Sequence, residues 1–355
     1  MKETLSASKI KVLKSCSWQY WCKYGLKLPD KTNDGALKGS IVHLVLECLG
    51  NPRHKKHYDQ IVQTKDMYSS IAVNILIEKH AIKNNLMSED HLRDIYRMAL
   101  EGVLYDFFGK SYGKPSEIIS EKDFELEIDE GDVRYKVKGF IDKLFIYKKK
   151  GLAVIRDFKT NKKIYEGEEV SDNLQDYIYT LAVKKLYPRY KDITMEFVFL
   201  KHSPDKGGVL KMEAKTDYEL NGFEFELTQY QKYADSFTEE TAKSNYAYHQ
   251  GMPKDGSFSG RLLCGFAKSP DEKKKDGSPK WYCTYKFGFD YYVVIDKDGN
   301  DKKSYWTKKS AKLEKGEKIQ KRSYGGCPCF NFPKEDWTSD FEKPSTTDDF
   351  DLDKF

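Results

Sequence analysis

No stretch of this 355-residue chain approaches the roughly 18 consecutive apolar residues of a membrane span, so a helical membrane protein is not expected. The opening residues, Met1-Lys2-Glu3-Thr4-Leu5-Ser6, contain no apolar h-region. A secretory leader is therefore not expected, and a cytoplasmic location is. Charge of one sign is also not in large excess. The 61 Lys+Arg face 56 Asp+Glu for a net +5, so any contact with a polyanion must come from local patches. Cysteine is missing from all positions between 49 and 263, and the seven present (Cys16, Cys22, Cys48, Cys264, Cys283, Cys327, Cys329) are odd in number. In a large chain without an export signal this disfavours a disulfide framework. No Gly-x-x-x-x-Gly-Lys-[Ser/Thr] loop occurs, so any nucleic-acid unwinding would have to come from a partner. There is no internal repeat.

What remains is a globular composition. Hydrophobic residues make up 39%, and the 24 glycines bring the apolar share to about 46%. Ser6 and Ser8 precede a helical run with Ile10, Leu13 and aromatic residues through Tyr24. Residues 29–35 read as a loop, and Gly39 opens an apolar helix over 41–49, stopped by Gly50-Asn51-Pro52. Helices are predicted over about 58–80 and 88–108. Alternation over 117–128 and 133–147 around a Glu130-Gly131 turn predicts a hairpin, followed by a strand over 152–158. A helix over 171–187, strands near 193–201 and 208–214, and a helix over 225–248 complete the pattern. It implies an α/β fold with a Cys- and Lys-rich C-terminal region. The division expected is 1–250 for the main domain, 251–335 for the Cys/Lys-rich region and 336–355 for an acidic, disordered tail.

The sharpest chemistry lies between Gly139 and Thr160. Asp157 and Lys159 are two apart on a strand and leave the same face. Asp142 lies on the neighbouring strand, close enough for the carboxylates to converge. Alone, an Asp-x-Lys triplet is common and is most often ordinary surface charge. Here Phe140, Ile141, Leu144, Val154, Ile155 and Phe158 make both strands read as central, where unpaired charge is costly. Two converging carboxylates beside a lysine suit a hard divalent cation, Mg²⁺ or Mn²⁺. His43 sits in the apolar helix with Glu47 one turn later, either as a core histidine or as a metal ligand oriented by Glu47. Gln175 and Tyr179 are again one helical turn apart, a polar face or a pair aimed back at the metal.

In order, these pieces resemble the RecB-type branch of the PD-(D/E)XK nuclease superfamily. They are the Ser6-x-Ser8 helix, Gly39-x-x-x-His43-x-x-x-Glu47, Gly139-x-x-Asp142, Asp157-x-Lys159-Thr160 and Gln175-x-x-x-Tyr179, spread over about residues 5–200. Ile141 stands where the superfamily's name has proline, a position the RecB branch commonly leaves without one. The resemblance implies a restriction-endonuclease-like core, a mixed central sheet flanked by helices. It implies too that His43, Asp142, Asp157 and the Phe158 carbonyl hold the metal, that Lys159 is catalytic, and that Gln175 and Tyr179 complete the site. It also implies a DNA exonuclease of recombination, repair or phage DNA metabolism, with a helicase or recombination protein as a possible partner. A structure-selective endonuclease and a non-catalytic DNA-binding scaffold are the alternatives.

AddB-type helicase–nucleases and CRISPR-adaptation nucleases carry a [4Fe–4S] cluster on one upstream and three far-downstream cysteines. By this resemblance Cys16 would be the upstream ligand, and Cys264, Cys283, Cys327 and Cys329 the candidates for the rest. Zinc and unligated thiols remain alternatives. Between Lys268 and Arg322 there are 16 Lys+Arg against 9 Asp+Glu, interleaved with aromatic residues. Lys273, Lys274 and Lys275 are the candidates there for phosphate contacts.

Overall fold

The computed structural model describes residues 1–247, 263–265 and 267–331, and the tail expected over 336–355 lies outside them. The chain divides into two compact units. Met1–Lys11 and Thr32–Ser236 form the first; Val12–Lys31 and Phe237–Phe355 form the second. Helices α1 (Ala7–Ser15) and α2 (Ser17–Tyr20) come first, and the division falls within α1.

In the first unit, α3 (Asp34–Gly50) starts well before Gly39. The sequence reads Asn33-Asp34-Gly35 as loop, but the Asn33 side chain accepts the Ala36 N–H at 2.8 Å and caps the helix there. The helix expected over 58–80 is two helices, α4 (Lys55–Thr64) and α5 (Ile71–Lys83), because Lys65 turns left-handed at φ 52°. Helix α6 (Glu89–Leu104) begins where expected, with Ser88 accepting the His91 N–H. The apolar faces of α3 to α6 bury one core that includes Phe158, Val198 and Leu200.

The sheet follows. Strands β1 (Glu117–Glu130) and β2 (Val133–Tyr147) form the predicted hairpin, turning at Gly131 with φ 59°. Strand β3 (Leu152–Lys159) returns antiparallel to β2. After α7 (Glu168–Ser171) and α8 (Leu174–Leu186), β4 (Asp192–Phe199) lies parallel to β3, and β5 (Val209–Lys211) closes the order β1-β2-β3-β4-β5. Parallel pairing needs such a crossover, and α8 supplies it. This is the mixed, helix-flanked α/β sheet the resemblance implies. Helix α9 (Asp217–Asp235), closed at its start by a Thr216–Glu219 capping box, packs on β2. Its Thr228 and Gln231 side chains accept the N–H groups of Arg134 and Lys136.

Behind the sheet, Lys143 and Arg156 are paired across β2 and β3 and are almost fully buried. Arg156 is held by Glu196 at 2.5 Å and by the Asp106 carbonyl at 2.7 Å. Among the described residues Lys143 has the Phe107 carbonyl at 3.2 Å and the Phe107 and Phe108 rings.

The second unit contains α2, α10 (Glu239–Ala242), the antiparallel sheet β7-β6-β8 formed by β6 (Phe287–Ile295), β7 (Asp301–Tyr305) and β8 (Lys318–Gly326), and α11 (Pro328–Asn331). Its core gathers Trp18, Cys22, Tyr285, Tyr324, Cys327 and Cys329. The Trp18 indole donates to the Tyr324 hydroxyl at 2.7 Å, which donates to the Tyr285 carbonyl at 3.0 Å. A segment near the N-terminus thus completes a core made mostly from the C-terminal part.

Burial, with the Arg156 charge beside it, pulls the Lys143 ammonium down to about 7. The unfolded chain keeps that proton up to the usual lysine range, so Lys143 makes stability rise with pH above about 7, by at most about 1.4 kcal/mol per pH unit. Urea unfolding of Lys143→Met should lose this rise relative to wild type. Parallel stability–pH curves for the two proteins would show that Lys143 stays charged in the fold.

Candidate functional site

The ladder between β2 and β3 ends at the pair Lys143–Arg156. The next residues inward, Asp142 and Asp157, stand where the strands part. The Phe158 N–H there donates to Asp142 Oδ2 at 2.6 Å. Helix α3 brings His43 Nδ1 to 3.3 Å from Asp142 Oδ1, with the imidazole edge-on to Phe158. From the third side comes Glu121. The β1–β2 ladder pairs Ser120 with Lys143 and Lys122 with Ile141, and Glu121, between them, faces Asp142 with φ 49°. A left-handed non-glycine residue inside a strand is a strained conformation of the kind that gathers at functional sites. One ligand atom each from His43, Glu121 and Asp142 lies within 4.8 Å of the others.

On the far side of Asp157 is a polar clasp. The Lys159 ammonium lies 2.6 Å from Asp157 Oδ2 and donates to Gln175 Oε1 at 2.6 Å, while Gln175 Nε2 donates to Asp157 Oδ1 at 2.5 Å. Gln175 reaches because Asn173 caps α8, accepting its N–H at 3.1 Å. The helix expected from residue 171 thus starts at Leu174. Tyr179, one turn on, packs edge-on against Phe124. Gly139 has no Cβ because one would stand 2.6 Å from the Phe124 ring and 2.8 Å from Tyr179.

Charge accounts for the titration of the site. Burial drives the Asp157 carboxyl up, against the pull of Lys159. Burial, then the Asp142 charge, lifts Glu121 to about 7. Burial alone would lower His43, but the Asp142 contact and the surrounding carboxylates hold it up at about 9. Such a surplus of oxygen donors and negative charge, with a histidine, fits a divalent cation.

A family model for the PD-(D/E)XK nuclease superfamily matches residues 4–259, more than half of the chain. The chain belongs to the PD-(D/E)XK nuclease superfamily. No curated protein matches it in sequence. Among solved structures it is similar to a protein named "Putative exonuclease" from Eubacterium rectale (12% identity, 69% of this chain and 89% of that one, TM-score 0.42). It is also similar to SSO0001 (14%, 68% and 80%, TM-score 0.33) and to VC1899 from Vibrio cholerae (12%, 65% and 58%, TM-score 0.21). Among the described residues no helix is long and apolar enough to cross a membrane.

In this PD-(D/E)XK chain, His43, Asp142, Asp157, Phe158, Lys159, Gln175 and Tyr179 all meet at the fork. Glu47 is exposed, and the partner at His43 Nδ1 is Asp142. Glu47 acts instead as one of the charges raising Glu121. Phe140, read as part of a central strand, is 61% exposed, since β2 runs on past its pairing with β3. Glu121 is the residue the sequence reading missed. Counting register outward from Glu130 and Val133, the pair that closes the turn, places it opposite Asp142. Tyr165 was missed too; it is another group against Lys159, stacked edge-on over Phe197 and Phe199.

Lys273, Lys274 and Lys275 belong to the second unit, on an exposed turn where the Lys274 N–H donates to the Ser278 carbonyl. Cys16, Cys264, Cys283, Cys327 and Cys329 belong to that unit as well.

Left-handed backbone and a half-buried, repelled carboxylate both cost stability at position 121. Glu121→Gly should therefore stabilise the metal-free protein by about 1 kcal/mol, seen as a raised urea midpoint. A lowered midpoint would mean that the Glu121 side chain supports the fold.

Proposed function

We propose that this nuclease is a Mg²⁺- or Mn²⁺-dependent deoxyribonuclease of the RecB-type branch, acting as an exonuclease in cytoplasmic recombination, repair or phage DNA metabolism. The observation that carries this reading is the convergence of His43, Glu121 and Asp142 within 4.8 Å, beside the Asp157–Lys159 pair. A cation held by His43, Asp142, Asp157 and Glu121 would neutralise charge on the phosphodiester and make a bound water a stronger nucleophile. The protein's own groups do the positioning. Lys159 carries a proton at neutral pH, its ammonium held charged by Asp157 against the effect of burial. From that place it can hold the attacking water or a phosphoryl oxygen. Gln175 fixes both Asp157 and Lys159, and Tyr179 and Phe124 wall the fork. A non-catalytic scaffold would have no use for such a set, whose mutual repulsion only costs stability. Unwinding would come from a helicase or recombination partner, and Lys273, Lys274 and Lys275 would contact DNA phosphates.

For the cysteines we infer an iron–sulfur cluster rather than zinc. Cys16 and Cys283 pack against the core that holds Cys327 and Cys329. The Cys283 N–H donates to the Cys264 carbonyl at 3.0 Å, which brings Cys264 to the same place. Four thiolates on one zinc stand about 3.8 Å apart, from a Zn–S bond of about 2.3 Å. Among the described residues no three cysteine sulfurs lie within 4.8 Å of one another. A single zinc would require these sulfurs to draw together, and the cluster reading follows the resemblance to the cluster-bearing nucleases.

Asp142→Ala should abolish cleavage of end-labelled DNA, at least about a hundredfold, and leave the circular dichroism spectrum unchanged. Lys159→Ala should bind Mn²⁺ as wild type does yet lose turnover. If both variants cut at the wild-type rate, the nuclease mechanism is wrong.

Protein purified without oxygen should be brown, with about four iron and four sulfide per chain, and Cys16→Ala should lose the iron. Colourless protein with one zinc, or with no metal, would exclude the cluster.

A further inference from the structure

Resting on that nuclease reading, we propose that a cleft beside the carboxylate fork is a phosphate-binding subsite, with Lys201 as its cation. It would take a phosphate of the nucleic-acid strand other than the one being cleaved. The cleft has a volume of about 450 Å³ and runs from His43, Asp157 and Lys159 to Thr160, Asn161 and Lys201. It is therefore continuous with the reacting groups yet ends among different ones.

Two contacts fix Lys201 in place. The Leu200 N–H, one residue earlier, donates to the Lys159 carbonyl at 2.8 Å, so the backbone before Lys201 is tied to the backbone of the catalytic lysine. One residue later, His202 Nε2 lies 2.6 Å from the Lys162 carbonyl, which ties the same turn to the loop after β3.

The cation itself has nothing to bind. Lys201 is half-buried, and among the described residues its ammonium has no hydrogen-bond or ion-pair partner. The acid acting on it, Asp94, is already held by Lys38 at 2.7 Å and Arg97 at 3.5 Å. Lys162 adds a further charge, so four cations surround one acid. Asp34, the acid at the start of α3, does not line the cleft and lies 3.7 Å from His91. Burial and the neighbouring cations hold the Lys201 ammonium below the usual lysine range, with only Asp94 pulling the other way. An entering phosphate would relieve that repulsion.

Asp142, Asp157 and Glu121 make the fork repel a polyanion until a cation is bound. A cation at the other end of the same cleft gives the strand an anchor that does not depend on the metal. The chemistry is that of a phosphate group and has two sources, a strand's terminal monophosphate or an internal diester.

The test is fluorescence anisotropy in EDTA, where no metal-dependent cleavage occurs, with wild type, Lys201→Gln and Lys201→Arg. Labelled single strands would carry or lack a terminal phosphate, and one neutral methylphosphonate linkage would be walked along them. Lys201→Gln should weaken binding about tenfold and reduce the salt slope by about 0.7. Lys201→Arg should restore both. Removing one particular phosphate should weaken wild type to the level of Lys201→Gln while leaving Lys201→Gln unaffected. Whether that phosphate is terminal or internal identifies the source. Equal binding by all three proteins on every strand overturns the subsite. If wild type nevertheless cuts DNA with Mg²⁺, the nuclease reading survives that failure. Lys201-dependent binding by a protein that cuts no DNA would have the opposite meaning.

Discussion

Three carboxylates, from Glu121, Asp142 and Asp157, crowd the opening between β2 and β3, and their mutual repulsion is the constraint to which the surrounding structure responds. Like charges this close cannot all ionise freely in a poorly solvated place, so each must be partnered or lose its charge. Asp157 is partnered by Lys159 and Gln175, and Asp142 by the Phe158 N–H and His43. Glu121 is left with the least, and its carboxyl is lifted to about 7 by burial and by Asp142. Glu121 also takes a left-handed φ of 49° where it faces Asp142, a second cost at the same residue. A divalent cation would resolve all three conflicts at once, and a site built for one has this pattern of deficits.

The same pair of strands bears charge behind the sheet as well. Arg156 is held there by Glu196, Asp106 and the Tyr105 carbonyl, whereas Lys143 has one carbonyl and two aromatic rings. Buried pairs of this kind contribute little net stability, since desolvation offsets attraction. They do fix register. A one-residue slip between β2 and β3 would bring Lys143 into the fork and Asp142 into the apolar core. The register that aligns Asp142 with Asp157 is thus enforced from both faces.

Much of this was legible in the sequence. The hairpin, the strand bearing Asp157 and Lys159, and the turn spacing of Gln175 and Tyr179 all follow from periods of 2 and 3.6. His43, Asp142, Asp157 and Lys159 were singled out on residue type and order. What escaped depends on register or on distance along the chain. Glu121 looks like any acid on an alternating strand until residues are counted back from the Glu130-Gly131 turn. Phe140 is apolar on an apolar strand, and only the end of pairing with β3 leaves it in solvent. Lys201 belongs to no local motif; it matters because β4 is parallel to β3 and ends beside Lys159. Residues 12–31 belong with the C-terminal unit through contacts such as the Trp18–Tyr324 bond, between residues 306 positions apart. The ligand set implied by the resemblance, Cys16 with C-terminal cysteines, brings the two ends together, but no local pattern could say through which other residues.

Cation-dependent hydrolysis of DNA at the fork is the proposal on which the other assignments depend. Its most direct test is to incubate the wild-type protein with end-labelled single- and double-stranded DNA in Mg²⁺, in Mn²⁺ and in EDTA. Products are expected with either ion, none in EDTA, and recovery when the ion is added back in excess. Undiminished cleavage in EDTA, or intact DNA under every condition, would contradict the proposal.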